Sequence, residues 1–290
     1  MRPRWVGFVT WLAVGVLAAG FGLWIAKRQA QSGAKQVAPP AVGLPHTPDY
    51  HALLVSPTDP GRIVLGTHAG LYESSDGGRT WRKGPLARKD AMNLVRTRRA
   101  RVWAAGHYVL FVSDDGGRTW ADVHPSGLPA LDLHGLAADP RHAGTLYAAV
   151  AHKGLYRSRD GGRTFALVSK EVGGNVRGLA VTPAGRLFAA DPSRGLLTSG
   201  DGGRSWTIAL RRPVIGVAVN PVYPRTMLAT GLGIFLSGDG GTRWRRVFRL
   251  QQVVEPVAWA PSDPKIAYAV GYNRKLYRTS DGGASWRLVA

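Results

Sequence analysis

From about residue 45 to the C-terminus, short apolar runs alternate with clusters of Gly, Pro, Asp and Ser, and no stretch keeps a helical period. Residues 133–169 show the grammar: "LHGLAADP", "GTLYAAVA", "KGLYRSRD" and "RTFALVS" read as four consecutive strands parted by turns. Residues 255–290 repeat it as "EPVAWAPSDP", "KIAYAV", "KLYRTSD" and "SWRLVA". One segment breaks the pattern. Residues 5–26, "WVGFVTWLAVGVLAAGFGLWIA", run for 22 residues without a charge. A membrane-spanning helix needs ~20 such residues, whereas a cleaved secretory core is usually only ~7–15 long. Residues 1–26 are therefore expected to form an uncleaved signal anchor, with Trp5, Trp11 and Trp24 at or near the interfaces. Residues 27–44, "KRQAQSGAKQVAPPAVGL", read as a polar tether. Arg2 and Arg4 at one end balance Lys27 and Arg28 at the other, so flanking charge does not orient the helix. A short N-terminal tail before a long domain favours an extracytoplasmic propeller, periplasmic or extracellular.

The turn between the third and fourth strand of each unit recurs. It begins at 74 as "SSDGGRTW" and returns at 113, 158, 199, 237 and 279, with spacings of 39, 45, 41, 38 and 42. A period near 40 built of short strands predicts blades of four strands around an axis. Residues 45–290 hold six such units, so the expected fold is all-β: a six-bladed propeller of antiparallel four-stranded blades after one transmembrane helix. The first unit starts on its own first strand and the last ends on its own fourth, so the ring should close without a strand shared between the termini.

The pattern S-x-D-G-G-x-[ST]-W resembles the Asp box, or BNR repeat, of sialidase-like propellers. Similar boxes occur in sialidases, some endoglucanases, sortilin-type receptors and photosystem II assembly factors of the HCF/Ycf type. The chain also resembles a bacterial group named glycosyl hydrolases on the strength of these repeats alone. The resemblance implies the propeller fold and selects no single function.

The box itself reads as a structural hairpin. Gly77 and Gly78 permit positive φ, the Asp76 carboxylate can accept N–H groups of its own turn, and Trp81 can pack beneath it. Asp115, Asp160, Asp201, Asp239 and Asp281 should do the same. One carboxylate per box argues against calcium in each.

Strand order puts the boxes and the "DP" turns at one end of every blade. The other end gathers histidines. His51 and His134 open first strands, and His68, His107 and His152 close second strands. His124 ends a fourth strand and His46 precedes the first blade, leaving only His142 on the box side. Aligned by blade, the residues opening the first strands are His51, Met92, His134, Arg177, Ile215 and Glu255. Two positions earlier stand Asp49, Asp90, Asp132 and Asn175, and Asp191 closes a second strand. Imidazoles with a thioether or carboxylates suit copper or zinc, and imidazole with carboxylate suits acid–base chemistry. A shared metal requires His51, His107 and His134 to converge.

Composition narrows the partners. The formal charge is +20, which favours anionic ones. Arg79, Arg118, Arg163 and Arg204 recur in the boxes, and Arg96, Arg98, Arg99 and Arg101 crowd "RTRRAR", with Arg243, Arg245 and Arg246 added. The box face is thus expected to meet an acidic protein or anionic lipid. Nucleic acid is not expected, since no RNA or DNA motif appears, and the chain is expected to be a monomer. It has no cysteine, so packing alone must stabilise the domain.

Two functions fit. One is a membrane-anchored scaffold that binds a protein or ligand, as the resemblance to the photosystem II assembly factors implies. The other is a sialidase-like glycoside hydrolase, for which the resemblance implies an arginine cluster, a Tyr/Glu pair and an acidic Asp. Only Glu73, Glu171 and Glu255 are present, and the sialidase Arg-Ile-Pro element is replaced by Arg62-Ile63-Val64. Tyr50, Tyr108 and Tyr272 and the mouth aspartates are the remaining material for such a site.

Overall fold

The computed structural model describes residues 41–97 and 100–289. The apolar segment 5–26, the tether up to residue 40, and Arg98 and Arg99 lie outside them. Among the described residues there are strands and turns and no helix, so none that is long and apolar enough to cross a membrane.

Six antiparallel sheets follow one another along the chain, over 52–83, 93–122, 133–169, 178–210, 214–248 and 254–288. Each pairs its strands in sequence order. The first strands lie side by side around the axis, with that of blade 6 beside that of blade 1. Among the described residues no strand is shared between the termini: blade 6 finishes on its own fourth strand, Arg287–Leu288. A fifth strand joins blade 1 instead. Ala41–Val42, within the stretch expected to be tether, pairs antiparallel with Thr80–Trp81 on the blade's outer edge. This covers an edge whose backbone groups would otherwise be unpaired.

The core lies between blades. Second strands such as Val102–Gly106, Leu146–Val150 and Met227–Gly231 are buried at every position. Covered on both faces, they read as continuous apolar runs in place of the alternation of a half-exposed strand. Ala-rich centres let neighbouring sheets approach. Apolar clusters then join adjacent blades: Tyr147 and Leu155 of blade 3 pack with Leu187 and Trp206 of blade 4, and Leu65 and Trp81 of blade 1 with Tyr268 and Leu276 of blade 6.

The Asp boxes are joints in this arrangement. Asp76 accepts N–H groups of Arg79 and Thr80 and the hydroxyls of Ser74 and Thr80 at 2.8 and 2.6 Å. The Trp81 indole donates to the Gly78 carbonyl at 2.9 Å. A bond from Gly77 N–H to the Gly61 carbonyl ties the box to the first hairpin of its blade. The second glycine makes the contact between blades: a Cβ on Gly162 would come within 2.7 Å of Trp103 in the preceding blade. One on Gly203 would meet Leu155 at 2.4 Å. Box five is weaker, since Arg243 stands where others have Thr or Ser: Asp239 keeps the Ser237 hydroxyl at 2.9 Å and two backbone N–H groups but lacks the second hydroxyl.

Candidate functional site

At the end opposite the boxes, an alternating row of imidazoles and carboxylates runs from blade 6 across blades 1, 2 and 3. The Tyr272 hydroxyl donates to Glu255 Oε2, and Glu255 Oε1 lies 3.0 Å from His51 Nδ1. His51 Nε2 is 3.5 Å from Asp49 Oδ1, and Asp49 Oδ2 is 2.5 Å from His68 Nδ1. His68 Nε2 faces Asp90 Oδ1 at 3.8 Å, and Asp90 Oδ2 holds His107 Nδ1 at 2.6 Å. His107 Nε2 faces Asp132 Oδ1 at 3.8 Å, and that oxygen lies 3.2 Å from His134 Nε2. The rings of successive histidines are 4.5, 5.3 and 5.4 Å apart, centre to centre.

The fold builds this row by repetition. In blades 1 and 2 the aspartate that leads into the first strand accepts the backbone N–H of the histidine closing the second strand: Asp49 from His68 at 3.0 Å, Asp90 from His107 at 2.7 Å. The carboxylate thereby sits under the ring it orients. Gly106 makes the space, since a Cβ there would fall 2.7 Å from the Asp90 carboxyl carbon. In blade 3 a register shift between Leu133 and Gly135 leaves His134 as the extra residue of a β-bulge. Bulges of this kind re-aim a side chain, and this one turns His134 toward its neighbour Asp132. Glu255 lies in a similar irregularity between Val254 and Val257.

Electrostatics differ along the row. Burial pulls the His51 pKa down, but the bond to Glu255 and the charges of Glu255, Asp49 and Asp90 outweigh it and leave it raised. His134 goes the other way: burial, together with the charges of Arg177, His107 and His152, prevails over the attraction of Asp132 and lowers its pKa. Burial and the bond to Glu255 raise the Tyr272 pKa, which keeps its hydroxyl a donor. Several polar atoms of the row are out of solvent and lack a hydrogen-bond partner: His51 Nε2, Asp90 Oδ1, Asp132 Oδ1 and both ring nitrogens of His134. Native proteins leave few such atoms unsatisfied.

The row takes four of the histidines expected at this rim. His46 and His124 are exposed and outside it, and His142 bonds Asp139 on the box side. His152 is exposed with a left-handed backbone, φ 56°. Asp191 is spent on its own turn, accepting the N–H groups of Ser193 and Arg194. Met92, Arg177, Ile215 and Glu255 line an axial cavity of about 130 Å3 with His51. The expected convergence of His51, His107 and His134 does not occur. Each blade advances the first strand one step around the ring, so a histidine meets only its neighbours. Three overlapping triads result, sharing His68 and His107: Asp49–His51–His68, His68–Asp90–His107 and His107–Asp132–His134.

A second feature was not legible in the sequence. Between blades 1 and 2, a cleft of about 570 Å3 is lined by Arg62, Arg82, Arg96, Arg118 and Trp120. Glu73 is taken up by Arg82 at 2.7 Å and Asp115 by its own box. Among the described residues Arg62, Arg96 and Arg118 pair with no carboxylate, and Arg96 Nε is buried without a partner. Burial lowers the Arg96 pKa. The box arginines Arg79, Arg163 and Arg204 are also exposed; each bonds the carbonyl of its own box aspartate. Arg101 is neutralised by Asp114 at 2.5 Å, so the expected charge of the "RTRRAR" turn is smaller than its composition suggests.

Comparison with known proteins extends this picture. The sequence model of the family described as Photosynthesis system II assembly factor YCF48 matches residues 51–286. Among solved structures, YCF48 bound to a D1 peptide is 18% identical, with a TM-score of 0.52, over 86% of each chain. YCF48 from Cyanidioschyzon merolae is 20% identical, with a TM-score of 0.53, over 88% of this chain and 87% of that one. The GH74 xyloglucanase from Xanthomonas campestris is 18% identical, with a TM-score of 0.62, over 88% of this chain. The match spans only 46% of that enzyme, about half its length. At these identities the solved structures share the fold. No curated protein matches the sequence.

Proposed function

The chain belongs to the family of the Photosynthesis system II assembly factor YCF48, and we propose that it is a scaffold that holds a protein client and carries out no turnover. The observation that carries this reading is the cleft between blades 1 and 2. Its three uncommitted guanidiniums sit in a volume within the ~300–1,000 Å3 usual for ligand pockets. Guanidinium forks bind carboxylates in pairs, so the cleft suits an acidic segment of a client. The family member solved with a D1 peptide supports a protein partner.

The uncharged segment 5–26 supports attachment to a membrane, with the propeller outside the cytoplasm and its basic box side available to client or anionic lipid. A hydrolase reading has less to stand on. Glycosidases need two free carboxyls about 5–9.5 Å apart across a sugar. Here Glu255, Asp49 and Asp90 are engaged by imidazoles, which leaves Asp132 without a second free carboxylate in the row, and the axial cavity of about 130 Å3 is smaller than usual ligand pockets.

The test is co-purification of the full chain from its own membranes, beside an R62Q/R96Q/R118Q variant. A client with an acidic segment should accompany the wild-type chain and be lost from the variant. Release of sugar from xyloglucan or sialosides by the purified chain would overturn the scaffold reading.

A further inference from the structure

The geometry points to a divalent late-transition-metal site, for zinc or copper, formed by His107, Asp132 and His134 at the channel mouth. It stands apart from the client cleft and does not depend on it.

Three observations single out this triad. First, Asp132 Oδ1 lies 3.2 Å from His134 Nε2 and 3.8 Å from His107 Nε2. Ligand atoms bound to one ion at ~2.0–2.2 Å sit roughly 3–3.5 Å apart in tetrahedral geometry, so a small inward movement of His107 completes the set. Second, the atoms that would bind are free. Asp132 Oδ1 and both nitrogens of His134 are buried without a hydrogen-bond partner, and a cation would satisfy the oxygen and the Nε2 that faces it. Third, the outer support is already in place. His107 Nδ1 is bonded to Asp90 at 2.6 Å, which leaves Nε2 as the ring atom directed at Asp132. Metal-bound histidines commonly have such a carboxylate behind them.

The other two triads would have to break a bond to bind. In both, His68 or His107 offers the next carboxylate one ring nitrogen, while its Nδ1 is committed to Asp49 or Asp90. At His107, Asp132 and His134 no ring nitrogen is hydrogen-bonded to the triad's own carboxylate, so no such bond has to break. His107 is partly exposed, which gives an ion a way in. Two imidazoles and one carboxylate are ligands of the kind zinc and copper accept and magnesium disfavours. Three protein ligands leave a coordination position open to solvent or to a side chain of a partner.

The experiment uses the full chain in detergent, stripped with chelator and then equilibrated with zinc, copper or magnesium chloride. Bound metal is counted by elemental analysis after gel filtration, and the copper form is examined by electron paramagnetic resonance. One equivalent of zinc or copper and none of magnesium is expected, with nitrogen coupling from two imidazoles. H107A, D132N and H134N should each lose the equivalent, while H51A keeps it. Metal-free melting temperatures within a few degrees of wild type establish that the variants fold. No stoichiometric metal in the wild-type chain, or an equivalent retained by H134N and D132N, overturns the site.

Discussion

Asp90 holds His107 twice: its Oδ2 accepts the backbone N–H at 2.7 Å and contacts ring Nδ1 at 2.6 Å. The aspartate precedes the first strand of blade 2 and the histidine follows the second, so the pair fixes the tautomer of a ring that faces blade 3. Replacing Asp90 by Asn keeps an acceptor for the backbone and removes the charge behind the ring. Zinc or copper affinity should fall about 10–100-fold, the usual effect of losing such a partner. G106A should weaken it by another route, since the added Cβ displaces the Asp90 carboxyl. Isothermal titration of both variants checks the pair of predictions.

The second glycine of a box should tolerate no side chain. Gly162 has φ +85° and abuts Trp103 across the blade seam. Left-handed backbone costs an alanine about 1–2 kcal/mol and overpacking about 1–3 kcal/mol. G162A should therefore lose about 2–5 kcal/mol in denaturant unfolding. G238A, at a box glycine with open space around it and no positive φ, should stay within about 0.5 kcal/mol of wild type.

Strong acid should weaken the boxes. The bonds from Thr80 and Ser74 hydroxyls and backbone outweigh burial and hold Asp76 at about 2, and Asp281 is likewise lowered to about 2. A carboxyl depressed in the folded state stabilises it above the unfolded value of ~3.9 and loses that contribution as pH falls toward the folded value. The boxes' contribution to stability should be flat above about pH 5 and decline between about pH 4 and 2. Thermal melts across that range, with D76N showing a shallower decline, provide the measurement.

Arg96 should show a trade of stability against binding. Its Nε is buried without a partner, which costs about 1–3 kcal/mol for an unsatisfied group. R96M should leave unfolding free energy unchanged or raise it by up to about 2 kcal/mol, while weakening capture of the acidic client. A variant that lost both stability and binding would show that Arg96 is a packing residue.

Much of the fold was legible because it is local. The boxes at 74, 113, 158, 199, 237 and 279 count the blades, and each is satisfied almost wholly by residues within a few positions of its aspartate. The D-x-[HM] pattern likewise foretold which end of the blades would carry imidazoles. It did not foretell that Asp191, aligned with those histidines, would cap its own turn, because that depends on whether a neighbouring blade offers a better partner. Nor did it foretell the cleft, whose uncommitted arginines come from the first hairpin of one blade and from the first strand and box of the next.

The sequence by itself determined the unit, its repetition and its polarity, since hairpin chemistry and strand alternation act over a few residues. Only the tertiary structure decided which side chains meet. Glu255 and His51 stand 204 positions apart and touch because the ring closes. His134, the extra residue of a bulge, lies beside Asp132, and Asp132 faces His107 across the seam of two blades. The lateral step from blade to blade turned an expected cluster into a row, and at its blade 3 end the row left a carboxylate, Asp132, between two imidazoles with no hydrogen bond to either.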